Sequence, residues 1–173
     1  NTLSLADNTG LASNYTLTGG THQLNITQRS VTLSGTRSYD GTNTVSNSDL
    51  TIGNLVGSET LTLTGAGTIA SKDVGSNKSV TDVSFGLSDN TGLASNYMIG
   101  TKTFNITKQT ITIDGSKIYD GNTTVAASDI STFNGLALTE TLTINGSGTI
   151  AAPSVGTNKA LTLGTLTLAD GSN

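Results

Sequence analysis

Side chains able to do chemistry are sparse in this chain. It carries one histidine, no cysteine and two glutamates, Glu59 and Glu140. His22 sits in a loop-like stretch, Gly19-Gly20-Thr21-His22, and no serine can be paired with a histidine in both halves of the chain. A hydrolase triad therefore has no repeated basis, and an enzyme is not expected. Without cysteine, disulfides and thiolate metal sites are excluded. The glutamates occupy equivalent positions of a repeat, as do Lys78 and Lys159. The plain expectation is a Glu59–Lys78 and a Glu140–Lys159 pair across strands, partly exposed and worth roughly 0–1 kcal/mol each. The sharper chemistry is a Lys–Asn or Lys–Asp isopeptide crosslink assisted by the carboxylate, which would remove about one ammonia or water from the intact mass per unit. Asp40 and Asp120, with Asp49 and Asp129, are candidate Ca²⁺ ligands. Calcium takes six to eight oxygens, usually from several carboxylates in one short loop, and no such loop spacing is present. These aspartates are therefore read as turn formers, and no cofactor is expected. Asn-x-Ser/Thr sequons at Asn14, Asn25, Asn77, Asn105, Asn122 and Asn145 are abundant in a chain rich in Asn and Thr, so many arise by composition alone.

The elements that position these groups recur. Asp7-Asn8-Thr9-Gly10-Leu11-Ala12-Ser13-Asn14-Tyr15 returns residue for residue at 89–97, and Leu24-Asn25-Ile26-Thr27 returns as Phe104-Asn105-Ile106-Thr107. Tyr39-Asp40-Gly41 returns as Tyr119-Asp120-Gly121, and Glu59-Thr60-Leu61-Thr62-Leu63 as Glu140-Thr141-Leu142-Thr143-Ile144. Gly67-Thr68-Ile69-Ala70 and Val74-Gly75-Ser76-Asn77-Lys78 also return, at offsets between 80 and 82. Such a fixed period marks a tandem array. The phase divides the chain into residues 1–28, the end of a preceding repeat; 29–108, a complete repeat; and 109–173, a second repeat without its final strands. Asn1 is not an initiator methionine, so a piece of a longer chain is expected. The alternative is that one molecule's N-terminal strands complete the next molecule's C-terminal unit at an open sheet edge, giving a head-to-tail fibre.

Alternation of apolar residues with Thr or Ser predicts strands at Val31-Thr32-Leu33, Glu59–Thr64, Val83–Leu87, Lys102–Ile106 and Leu161–Leu163. Threonine suits the wet face of such strands, being β-branched with a solvated hydroxyl. Asp-Gly between two alternating runs is a turn signal, because Gly takes positive φ and Asp bonds its own backbone. Tyr39 and Tyr119 are expected to pack inward at these corners, with Asn96 and Tyr97 on a late strand. Asp49 and Asp129 are compatible with capping a short helical turn or with ending a strand. The fold class is therefore all-β, with at most short helical turns, as tandem sandwich-like units of about 80 residues joined without a flexible linker. An elongated rod is the expected outcome.

Charged residues make up 12% of the chain, aromatics 4%, and the net charge is −4, which lacks the basic footprint of a nucleic-acid binder. No apolar run reaches the ~18 residues of a membrane span. Thr-rich faces raise glycan or ice binding as an alternative, against which stand the scarcity of aromatics and the long period.

The ordered set of motifs resembles the YDG repeat: a Tyr-Asp-Gly corner after a first strand, Gly-Thr-Ile-Ala, Val-Gly-x-Asn-Lys and a late Asn-Tyr strand. This repeat is found in very large secreted bacterial surface proteins, including filamentous-haemagglutinin-like adhesins exported by two-partner secretion, and is akin to "mostly β-grasp" repeats. The resemblance covers essentially the whole chain. It implies a grasp-like β-sandwich in tandem, acting outside the cell as stalk or spacer of an adhesin or biofilm-matrix fibre, and it supplies no catalytic residues.

Overall fold

A computed structural model describes residues 3–17 and 21–171. The chain is all-β, its helical content limited to four three-residue 3-10 turns among the described residues. Residues 29–107 form one set of strands: β1 (Arg29–Ser38), β2 (Thr44–Ser46), β3 (Thr51–Gly53), β4 (Leu61–Thr64), β5 (Ala66–Ile69), β6 (Gly75–Asp82), β7 (Gly86–Asp89) and β8 (Tyr97–Thr107). A six-stranded sheet runs β2-β5-β6-β8-β1-β3, and β4 pairs with β7 in a second, two-stranded sheet.

The key pairing joins the two ends of this unit. β1 and β8, its first and last strands, run parallel, from Arg29 opposite Tyr97 to Ser38 opposite Thr107, with one irregularity between Val31 and Leu33. β8 also pairs antiparallel with β6, so it is buried between two neighbours. Alternation puts Val31 and Leu33 inward, and both are almost completely buried. One core cluster joins Val45, Ile69, Val80, Phe104 and Ile106, with Tyr39, Leu50 and Phe85 packed against it. A second joins Val31, Leu61 and Tyr97. Phe104 and Ile106 thus fill the middle of the unit from its last strand. Gly35 is dictated by packing, since a Cβ there would stand 1.9 Å from the Asp49 carbonyl oxygen.

Asparagine in the Asn-Ile-Thr segment has a defined task. The Asn77 N–H donates to Asn105 Oδ1 (2.8 Å), and Asn105 Nδ2 donates to Thr36 Oγ1 (3.2 Å). One side chain therefore ties β8 to both its neighbours.

Residues 112–170 repeat the plan with shorter pieces: β9 (Thr112–Gly115), β10 (Thr124–Ala126), β11 (Ile130–Asn134), β12 (Leu142–Asn145), β13 (Ser147–Ile150), β14 (Leu161–Thr162) and β15 (Thr167–Asp170). They form three separate sheets, β10-β13-β14, β11-β9 and β12-β15. What separates β14 from β9 is the position that β8 holds in the first unit. Among the described residues no strand fills that position, and β9 has four residues where β1 has ten, β14 two where β6 has eight.

Several expectations change in detail. The closing strand is longer than Lys102–Ile106, starting at Tyr97. The strand expected over Val83–Leu87 begins only at Gly86, because the Val83 and Ser84 N–H groups both turn back to the Ala66 carbonyl. The Asp49 and Asp129 ambiguity resolves to 3-10 turns, each Asp accepting a backbone N–H at 2.9 Å, from Ser46 and Ala126 respectively.

Candidate functional site: the Tyr-Asp-Gly corner and the inter-unit joint

The corner is built locally. Gly41 has φ +79°, open to Gly at little cost, and Asp40 Oδ1 accepts from the Thr42 N–H (2.9 Å) and hydroxyl (3.0 Å). Arg37, at the end of β1, holds the corner from within. Its Nη1 donates to the Thr44 carbonyl (2.7 Å) and Asp49 Oδ2 (3.3 Å), and its Nη2 to the Thr42 carbonyl (3.2 Å). Its Nε lies 3.1 Å from Asp40 Oδ2, an ion pair without hydrogen-bond alignment, and its guanidinium stands over the Phe104 ring. The second corner repeats this with Lys117 in place of arginine, 2.9 Å from Asp120 Oδ1. The Asn122 N–H, and after it Lys117, hold the Asp120 carboxyl below its usual pKa.

Turn formation thus occupies the aspartates considered for Ca²⁺: Asp40 and Asp49 face Arg37 and backbone donors. Among the described residues no group of three or more His, Cys, Asp or Glu is gathered.

Tyr39 and Tyr119 part company. Tyr39 packs against the core, and its N–H donates to the Thr107 carbonyl (2.9 Å). Tyr119, expected inward as well, is 64% exposed. No strand stands beside it among the described residues to supply the carbonyl or the cover.

The expected Glu–Lys pairs also differ. Lys78 donates to the Ser71 carbonyl (3.3 Å) and Lys159 to the Ala152 carbonyl (3.1 Å). Both lysines close their own Val-Gly-x-Asn-Lys turn, in which Asn77 and Asn158 hold positive φ. The glutamates bind tyrosines instead. Within the first unit the Tyr97 hydroxyl donates to Glu59 Oε2 and accepts the Val56 N–H (3.2 Å); the first of these bonds raises the Tyr97 pKa. Asn96, the residue before it, ends the 3-10 turn that delivers Tyr97 to β8.

Glu140 takes its tyrosine from the other unit. The Tyr39 hydroxyl donates to Glu140 Oε1, and Lys72 Nζ meets the same oxygen at 2.8 Å while standing 5.8 Å from the Tyr39 ring centre. Lys72, then Tyr39, hold the Glu140 carboxyl below its usual pKa. In return Glu140 raises the pKa of Lys72 and of Tyr39. Beside this contact Leu138 lies over Gly41: a Cβ at Gly41 would sit 2.9 Å from Leu138 Cδ1. Leu138 itself has φ +50°, where the equivalent position in the first unit is Gly57.

The sequence singled out Tyr39, Gly41 and Glu140, but not that they meet. Lys72 was not singled out, since its equivalent in the second unit is Pro153 and the repeat comparison hides it. His22, by contrast, is exposed and bonds locally to the Leu17 carbonyl (2.7 Å), while Gly19 and Gly20 lie outside the described residues.

The family model described as YDG domain matches this chain twice, over residues 21–106 and 101–173. The chain belongs to the YDG domain family. The two matches agree with two successive units whose Tyr-Asp-Gly corners are Tyr39–Gly41 and Tyr119–Gly121. No curated protein and no solved structure matches the chain.

Proposed function

We propose that this pair of YDG units is a load-bearing spacer, the stalk of a bacterial surface adhesin or extracellular matrix fibre. The observation that carries the reading is the parallel pairing of the first and last strands of the complete unit. Tension along the chain pulls β1 by its start and β8 by its end, which lie at opposite ends of a parallel pair. The ladder is then loaded in shear, so its hydrogen bonds resist together instead of opening one at a time. The Tyr39, Lys72 and Glu140 contact supports the same reading, because it fixes one unit against the next at the corner that ends β1. A spacer of this kind needs no cofactor and no substrate. Stretching the chain between its ends in a single-molecule experiment tests the proposal. A discrete high-force unfolding event for the complete unit is expected, and smooth lengthening at low force would remove the reading.

A further inference from the structure

Two differences between the units fall on one cross-strand pair. β1 and β3 hold Ser34 and Gly53 where β9 and β11 hold Asp114 and Asn134. The register is the same in both. Thr32 faces Gly53 and Ser34 faces Thr51, as Thr112 faces Asn134 and Asp114 faces Thr132. In the first unit a side chain at position 53 has no room, since a Cβ there would stand 2.7 Å from Thr32 Oγ1. In the second unit the two residues meet: Asn134 Nδ2 donates to Asp114 Oδ2 (2.7 Å), and both residues are exposed. A diagonal pair of this kind ties neighbouring strands when a donor meets an acceptor and repels when both partners carry the same charge.

The same difference reverses a dipeptide. Gly53-Asn54-Leu55 becomes Asn134-Gly135-Leu136, and the positive φ passes from Asn54 (+69°) to Gly135 (+91°). Asn54 is held at both ends of its amide. Its Oδ1 accepts from Arg29 Nη2 (2.6 Å), and its Nδ2 donates to the Ser30 carbonyl (2.7 Å). Leu55 follows it, with a side chain beside the next backbone nitrogen. Asn134 is instead followed by a residue without a side chain, at the exposed end of β11. An asparagine before glycine is open to attack by the next residue's nitrogen, because no Cβ blocks the approach and the glycine backbone bends freely. Asn145-Gly146, at the exposed end of β12, is the other such dipeptide in the chain.

We infer that Asn134 is a covalent self-modification site, which deamidates spontaneously and in doing so loosens β11 from β9. The Gly135 nitrogen attacks Asn134 Cγ, a C–N bond forms, and Nδ2 leaves as ammonia with the proton that Gly135 gives up. Water then opens the cyclic imide, leaving aspartate or isoaspartate in a chain about 1 Da heavier. Water is the one co-reactant consumed. The donor to Asp114 is thereby replaced by a second carboxylate, and the hydrogen bond becomes a like-charge contact between strands. Isoaspartate also adds a methylene to the backbone at the last residue of β11. Among the described residues β9 pairs with no strand but β11, so the loss falls on its whole ladder. Asn145 faces Thr167, and the same reaction there sets no carboxylate against Asp114. This inference stands apart from the spacer reading, since it concerns the covalent chemistry of one residue and not the load the chain bears.

Peptide mapping by mass spectrometry, over a time course of the full chain in warm, mildly alkaline buffer, tests the reaction. The expected result is a gain of about 1 Da at Asn134, several times faster than at Asn54. Modification of Asn134 no faster than that of Asn54 overturns the inference. Urea unfolding of freshly prepared variants reads the consequence. Asn134→Asp should lower the midpoint, and Asn145→Asp should leave it in place. The double variant D114N/N134D, which returns one donor and one carboxylate to the pair, should recover most of the loss. Asn134→Asp as stable as the parent, a loss that D114N does not relieve, or an equal loss in Asn145→Asp overturns the inference too.

Discussion

Gly41 and Gly121 share the left-handed conformation, but only Gly41 lies against a neighbouring unit. Alanine at either position incurs a left-handed backbone cost of about 1–2 kcal/mol. At Gly41 its methyl must also displace Leu138, so Gly41→Ala should lower stability more than Gly121→Ala in denaturant unfolding. Equal losses would show that the joint contributes nothing. Glu140 provides a second residue-scale prediction through pH. Its folded pKa lies below the unfolded value of about 4.3, so its contribution is complete above that value and fades as pH falls through the depressed folded pKa. Lys72 and Tyr39 are shifted upward, so their contributions are complete below about 10 and fade as pH rises through the raised folded values. The stability difference between the parent and Glu140→Gln, read by chemical denaturation, should be level from about pH 5 to 9 and shrink on either side. The corner was legible in sequence because Asp-Gly turn chemistry is local. The partners of the glutamates were not, because a tyrosine hydroxyl about 40 or 100 residues away leaves no periodic trace.

At the scale of elements, the core depends on the last strand. Phe104→Ala should destabilise the first unit by about 3–5 kcal/mol, since the ring is fully buried in the cluster of Val45, Ile69, Val80 and Ile106. Ile69→Ala, at a buried site, should cost about 2–5 kcal/mol, and its equivalent Ile150→Ala clearly less because that position lines an open groove. Thermal or urea unfolding of the three variants checks this ordering. Strand identity was readable from Thr alternation. Strand pairing was not. Nothing in the alternation says that β8 lies parallel to β1, or that β9 and β14 shorten without their shared neighbour. Strand length here reflects the ladder partner as much as the residues of the strand itself.

Across the whole molecule, the two YDG matches, over residues 21–106 and 101–173, each hold one Tyr-Asp-Gly corner of the sequence period. The joint between the units was invisible because it rests on single residues of each repeat, Tyr39 and Lys72 on one side and Leu138 and Glu140 on the other. The absence of native cysteine permits a direct mechanical test of the spacer reading. Handles can be attached through cysteines at exposed Ser30 and Thr107, which pull β1 and β8 in shear, or at Ser30 and Met98, which face each other and peel the pair open. The prediction is a much higher unfolding force for the Ser30/Thr107 pair than for the Ser30/Met98 pair. Equal forces in the two geometries would contradict a load-bearing role for the parallel ladder.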